Sequence, residues 1–358
     1  MDNQKESPFS GCSHITFNQE KILRSDEKAD GFAGFPLAGR PLSDLLPACL
    51  ISTVQEVTAN GGAGIFAVKL KDRRFLGGIW PNDGVWTLAL RPYSQDNSLV
   101  AIWINTIVRQ LREQLSFSFG ALGLLSNSIK SGDLERSGFY HAIMLKSSYQ
   151  LERLTNNMST LTSGDTSFGL VYSDLVTACR GIFESCEAHL EKSGVSLSFD
   201  SPSLSIPAYF DQSGLEHIFY NLISNAVQYG GDDVKIGVSV ASEPGDGVAS
   251  ISVEDNGPGI APDLIRRFFS EEPPDPTDLS SKITGLGLQM AGYIALRHSG
   301  YFRLTTRPGK TFCSVAIPAR SGPPPDLPIR SGADYSGGLD HTLIGLSAVI
   351  PVEEFLEI

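Results

Sequence analysis

Asn221 and Asn225 stand four residues apart in GLEHIFYNLISNAVQYGG, residues 214–231. One helical turn separates two such positions, so the carboxamides lie one above the other and offer neutral oxygens. A hard cation that also carries phosphates, Mg2+ above all, takes ligands of that kind. An isolated pair of asparagines also occurs as plain decoration of a core helix. Downstream, ASISVEDNGPGI (249–260) alternates like a strand and runs into Asp255, Asn256, Gly257, Pro258 and Gly259. A carboxylate at the end of a buried strand accepts a hydrogen bond from an exocyclic amine, and the glycines after it let backbone approach a ligand. The same residues also suit an ordinary turn. A third stretch, TGLGL (284–288), contributes Gly285, Gly287 and Leu288 ahead of a helix-like run, Gln289 to Ser299. A glycine-rich turn opening a helix favours phosphate, because free N–H groups and the helix dipole both attract anions. The three stretches in this order, with Phe268, Phe269 and a polar loop between the second and third, are more specific than any one alone.

The elements that must position these residues follow from periodicity. Leu215, Ile218, Leu222, Ala226 and Tyr229 recur at three- and four-residue steps and predict a helix with one apolar stripe. VSLSFD and LSIPAYF are expected as strands leading into it, after a helix over Asp174 to Lys192 with Ser173 as N-cap. Upstream, Ser98 to Thr162 reads as two long helices broken at Lys130–Asp133. Each carries one apolar stripe, which predicts burial against a second hairpin in a four-helix dimer or against neighbouring domains of the same chain. From His14 to Ser94, strands such as WTLALRPY flank a helical passage, LSDLLPACLISTVQEVTANG, so an α+β unit is expected. Trp80 and Trp86 are candidates for lining a pocket or filling its core. After residue 320 a proline- and glycine-rich linker leads to HTLIGLSAVIPVEEFLEI, expected to dock as a strand and a short helical turn, either an inhibitory flap or a packing clip.

The three motifs resemble those of the Bergerat-fold ATPases, and most of all the catalytic domain of sensor histidine kinases. NLISNAVQYG is similar to their asparagine box, VEDNGPGI to the first glycine box, RRFF to the phenylalanine box, and TGLGLQMAGYIALRHSG to the second glycine box; PGKTFCSVAIP also fits. The resemblance implies that ATP and Mg2+ are cofactors, that Asn225 ligates the metal with help from Asn221, and that Asp255 reads the adenine amine. It further places Tyr229 near the base and Gly257, Gly259, Gly285, Gly287 and Leu288 around the nucleotide. SEEPPDPTDLSSKI then falls where the family has its flexible ATP lid, with Lys282 a candidate for reaching a phosphate or a plain solvated lysine. The N-terminal strand order resembles a PAS sensor domain. The implied fold is thus α+β and multidomain: a PAS-like unit (1–97), a helical dimerisation hairpin (98–165), an α/β-sandwich ATPase domain (166–320), and a linker with a C-terminal docking segment (321–358).

The hairpin lies where such kinases keep their phosphoacceptor, yet RQLREQL aligns with the family's H-E-L-R-x-P-L so that Arg109 stands for the histidine and Gln110 for the acidic residue. Arginine stays protonated and glutamine accepts no proton, so neither replaces the missing chemistry. No histidine lies between His14 and His141, and His141, expected to begin the second helix, reads as a surface residue near a turn. The expectation is an ATP-binding two-component signalling protein without the usual acceptor. Alternatives are an inactive subunit that uses ATP as a conformational switch and, less in keeping with the hairpin, a serine kinase of the anti-sigma type. Expected partners are a second copy or another kinase through the hairpin, and a response regulator. A net charge of −12 across 358 residues argues against nucleic acid or anionic membrane as partners. No apolar run reaches membrane length and no targeting segment is evident, so a cytoplasmic protein is expected. Five scattered cysteines and six scattered histidines form no disulfide or metal pattern.

Overall fold

Ten strands of this protein join in one sheet that runs from its first described residues to its last strand. A computed structural model describes residues 12–18, 21–92, 98–162, 169–231, 233–243, 247–269, 286–319 and 339–356. Alternation builds the first hairpin: β1 (Ser13–Phe17) buries Ile15 and Phe17 and turns back into β2 (Ile22–Ser25). Asp26 caps α1 (Glu27–Ala33) by accepting the Ala29 N–H, and α2 (Ala48–Ala59) follows Pro47. A meander of β3 (Ala63–Leu70), β4 (Arg73–Asn82) and β5 (Val85–Pro92) completes this part. One face of it buries Phe66, Ile79 and Leu88 together with residues of α1 and α2.

Two long helices follow, α3 (Ser98–Ser131) and α4 (Leu134–Thr162), joined at Gly132, whose φ of 73° favours glycine. Ile107, Ala121 and Ser128 of α3 are buried, as are Ala142, Tyr149 and Leu154 of α4. The Ser128 and Ser137 hydroxyls meet at 2.9 Å near the turn. His141 lies two turns into α4 rather than at its start, and its side chain is exposed.

The second α/β unit contains β6 (Val171–Asp174), α5 (Leu175–Leu190), β7 (Ser196–Asp200), β8 (Pro207–Phe210) and α6 (Gln212–Tyr229). After these come β9 (Lys235–Glu243), β10 (Val248–Asp255), α7 (Pro262–Phe269), α8 (Leu286–Arg297), β11 (Tyr301–Arg307) and β12 (Lys310–Pro318). The N-cap of α5 is Asp174, not Ser173. Its carboxylate accepts the Thr177 N–H at 3.2 Å and also the Ile206 N–H at 2.8 Å, which a serine hydroxyl is too short to do together. Helices α5, α6 and α8 pack on the sheet with a common core that includes Ile218, Val253, Met290 and Val315.

Strand order is β2-β1-β5-β4-β3-β11-β12-β10-β9-β7, antiparallel except at β7–β9. The N-terminal strands therefore continue the second unit's sheet through β3–β11, from Phe302 opposite Ala67 to Thr306 opposite Ala63. The C-terminal segment forms α9 (His341–Leu346) and a 3₁₀ turn at Val352–Leu356, where a strand followed by a helical turn was expected. Asp340 decides the helix by accepting the N–H groups of Thr342 and Leu343 at 2.7 and 3.0 Å. Leu343, Ile344, Leu346 and Phe355 are buried in a seat formed by α4, α5 and α6.

Candidate functional site

Helix α6 carries the asparagine pair, and its register is fixed by burial of Leu215, Ile218, Leu222 and Ala226. Asp211 caps it, accepting the Gly214 N–H at 2.6 Å. Asn221 is then 9% exposed and Asn225 half-buried on the flank that meets the start of α8. A Cβ built on Gly287 would stand 3.2 Å from Asn225 Nδ2 and 3.3 Å from Asn221 Oδ1. Two carboxamides and the start of α8 thus face the same small space, which a methyl at 287 would crowd. Neutral oxygen ligands beside a helix N-terminus suit a cation arriving with an anion. Leu286 is buried and Leu288 partly so, anchoring the first turn of α8 from behind.

The end of β10 supplies the carboxylate. Asp255 lies between Ile236 of β9 and Thr311 of β12, and its Oδ1 accepts the Gly257 N–H at 2.9 Å. Burial raises its pKa above the usual carboxylate value, against the opposing bonds from the Gly257 amide and the Thr311 hydroxyl. A carboxylate held in this way at the strand end remains a hydrogen-bond acceptor toward an amine. Gly257 sits on the end of α6: a Cβ there would lie 2.9 Å from the Gly230 Cα. Gly259 has φ 81°, and a Cβ on it would lie 2.5 Å from the Arg307 carbonyl. Asn256 is a fastener, its Oδ1 accepting the Lys235 N–H at 2.7 Å and its Nδ2 donating to the Asp233 carbonyl at 3.2 Å. Tyr229, one turn beyond Asn225, is 42% exposed and so is not part of the buried stripe; burial of its remaining surface raises its phenol pKa.

The last two turns of α6 therefore bring the motifs together, with Asn221, Asn225 and Gly287 on one side and Tyr229, Asp255 and Gly257 at the C-terminal end. Lys282, Gly285 and the stretch read as a lid lie outside the described residues. Sequence reasoning missed Thr306, whose Oγ1 accepts the Ile260 N–H at 2.7 Å and pins the chain just after Gly259. Nothing local marks it, since a threonine in a strand is ordinary. Thr311 was missed for the same reason.

On the hairpin, Arg109 is exposed and Gln110 partly buried; Arg109, Arg112, Glu113, Ser116 and Phe117 line an open hollow of 430 Å³. Burial pushes the Cys186 thiol up to about 12 and raises those of Cys179 and Cys313, so these thiols are protonated and unreactive at neutral pH. Among the described residues, no three His, Cys, Asp or Glu side chains gather as metal ligands, and no helix is long and apolar enough to cross a membrane.

The family described as histidine kinase-, DNA gyrase B-, and HSP90-like ATPase matches residues 210–321. Histidine kinase P4 of Formosa agariphila is 30% identical over 188 residues, 51% of this chain and 14% of that one. Sensor histidine kinase CpxA of Escherichia coli is 25% identical over 213 residues, 57% of this chain and 44% of that one. The chain thus spans less than half the length of either relative. Among solved structures, Acinetobacter baumannii histidine kinase AdeS is similar at 21% identity with a TM-score of 0.44, over 59% of this chain and 98% of that one.

Proposed function

We propose that this chain, whose residues 210–321 match the histidine kinase-, DNA gyrase B-, and HSP90-like ATPase family, binds Mg2+–ATP as a histidine-kinase-type signalling subunit. The observation that carries the reading is the meeting of the Asn221–Asn225 pair with Gly287 on one side of α6 and of Asp255 with Gly257 at its end. In this reading Asn225, helped by Asn221, offers oxygens to the cation, and the first N–H groups of α8 hold the phosphates. Asp255 accepts the adenine amine, while Tyr229 lies beside the base. Bound Mg2+ supplies charge neutralisation at the phosphates. Gly287 keeps a side chain away from the asparagine pair, while Gly257 and Gly259 let the loop after β10 close on the end of α6 and on β11.

Self-phosphorylation at the usual position is not part of the proposal. Arg109 and Gln110 stand where a nucleophile and its base are required, and neither has the chemistry. That observation favours a second version, in which ATP stabilises one conformation of a dimer that engages a partner kinase or a response regulator. The dimer is supported by Leu115, Phe119, Leu122 and Ile129, exposed along one side of α3 at helical spacing. The order β2-β1-β5-β4-β3, with α1 and α2 over one face, supports the N-terminal unit as a PAS-like input.

The test is incubation of the purified chain with γ-labelled ATP and Mg2+, with calorimetric binding to wild type and Asn225→Ala. Binding that requires Asn225, without acid-labile label on the protein, is the expected result. Acid-labile label would show a working acceptor histidine and overturn the second half of the reading. Trans-labelling of a partner kinase whose own ATP site is disabled separates a donor subunit from a pure switch.

A further inference from the structure

Two contacts tie the candidate nucleotide site to the N-terminal unit without passing through the hairpin. The first lies at the β3–β11 junction. Thr306 holds the chain after the glycine turn through its Oγ1, while its carbonyl faces Gly62, where a Cβ would have no room. Gly64 also approaches a β11 carbonyl, that of Leu304, so a Cβ there would lie at 2.9 Å. Two cross-links from α2 and its C-cap reinforce the seam: the Thr305 hydroxyl donates to Glu56 Oε1 at 3.4 Å, and Arg307 Nη1 donates to Asn60 Oδ1 at 3.2 Å. The second contact is at Phe269, the last residue of α7, which starts three residues after Gly259. Phe269 is fully buried, stacks on Trp80 of β4 with ring centroids 6.1 Å apart, and covers Gly78, where a Cβ would enter its ring. The Arg91 guanidinium of β5 lies 5.7 Å from the same ring. Both ends of the stretch from Gly259 to Phe269 therefore rest on strands of the N-terminal unit or on the strand paired with them.

We infer that nucleotide occupancy and the packing of the N-terminal unit are energetically coupled through this sheet seam, so that the unit acts on the ATP site directly through Thr306 and the Trp80–Phe269 contact. The inference rests on the ATP-binding reading. Coupling is reciprocal: whatever nucleotide does to the Phe269 seat, a change in that seat does to nucleotide affinity. Close-packed contacts of this kind transmit small displacements, since a core has no slack to absorb them.

The full chain contains three tryptophans, so a Trp86→Phe, Trp103→Phe variant reports Trp80 alone. Its emission is followed during titration with Mg2+–ATP, in parallel with calorimetry on the same protein. The expected result is an emission change whose midpoint matches the calorimetric Kd and that Asn225→Ala abolishes. Gly78→Ala, which forces the Phe269 ring from its seat, and the milder Phe269→Leu, in case Gly78→Ala does not fold, weaken nucleotide binding about tenfold. Thr306→Val, which leaves the Ile260 amide without its acceptor, does the same, and Thr306→Ser restores affinity. Calorimetric binding with a silent Trp80, or wild-type affinity in both Gly78→Ala and Phe269→Leu, overturns the coupling and leaves the ATP reading standing. No calorimetric binding by the wild-type chain overturns the ATP reading, and the coupling with it.

Discussion

Gly287→Ala separates the needs of the fold from those of the site. Residue 287 is the second of α8, in a conformation open to any L-residue, so alanine there gains roughly 0.5–1 kcal/mol of backbone entropy relative to glycine. Against this, the new methyl meets Asn225 Nδ2 at 3.2 Å, Asn221 Oδ1 at 3.3 Å and Asn225 Oδ1 at 3.5 Å. These are the ends of two side chains that yield by a few tenths of an ångström with a small turn about their own bonds. The terms offset, and the unfolding midpoint without nucleotide should move by no more than about 3 °C. The site fares differently, because the methyl stands between the carboxamide oxygens and the N–H end of α8. Loss of correct ligand placement should cost about 1.5–3 kcal/mol, roughly 10- to 100-fold in Mg2+–ATP affinity. Thermal unfolding of the nucleotide-free protein and calorimetric titration read the two quantities separately. Unchanged affinity with an intact fold would show that the space before the asparagine pair is not where nucleotide binds. A large fall in midpoint would show that Gly287 serves the fold instead.

Three further outcomes follow from the same contacts. Burial lowers the His217 pKa to about 4 and lowers that of His298, whose Nδ1–H donates to the Ile294 carbonyl while Nε2 accepts the Asp211 N–H. The unfolded chain, with histidines near 6.5, takes up protons first as pH falls. Stability should be full above about 6.5 and drop toward pH 4, by no more than about 3 kcal/mol for His217; a flat midpoint across that window is the contrary result. Gly345 of α9 lies on the Tyr220 ring with no room for a methyl, so Gly345→Ala should loosen the C-terminal segment by about 1–3 kcal/mol and speed its proteolysis. Unchanged digestion would mean that the seat adapts. Phe119→Glu with Leu122→Glu, at positions 70% and 47% exposed, should shift a sedimenting dimer to monomer, and a wild-type chain that sediments as monomer contradicts the pairing.

The parts of the site that were legible are those whose meaning is local. A stripe at Leu215, Ile218, Leu222 and Ala226 determines a helix and thereby places Asn221 and Asn225 one turn apart, and α6 has that form. Alternation through 249–255 likewise gave β10 with Asp255 at its end. The miss at Asp174 is a competition between adjacent cap formers, settled by a distant amide, Ile206, that the sequence does not place. The C-terminal run HTLIGLSAVIP has strand-like residues, yet it fills a seat between α4, α5 and α6. There the Lys146 ammonium and the Gln150 amide donate to the carbonyls of Ile350 and Ser347 at 2.6 and 3.1 Å. Those donors belong to the hairpin, about two hundred residues away, and they outweigh local propensity.

The seam between β3 and β11 left a trace in the sequence, though one without an address. Gly62, Gly64 and Gly78, in or beside β3 and β4, weaken these strands unless something must come close, and here a carbonyl of β11 or the Phe269 ring does so at each. Sequence distance hides the partner, but the glycines imply that the N-terminal unit is built against something. A fragment of residues 166–320 tests this. Without β3 the ladder of β11 becomes an open edge of five unpaired positions, and Phe269 loses its cover on Trp80 and Gly78. Exposing one large buried side chain costs about 1.5–3 kcal/mol, and a bare edge invites pairing with other copies. The fragment should therefore have a lower unfolding midpoint than the full chain, associate through β11, and bind Mg2+–ATP less tightly because Thr306 no longer has a braced strand behind it. A fragment that stays monomeric, melts with the full chain and binds nucleotide equally well would mean that the shared sheet is incidental to the site.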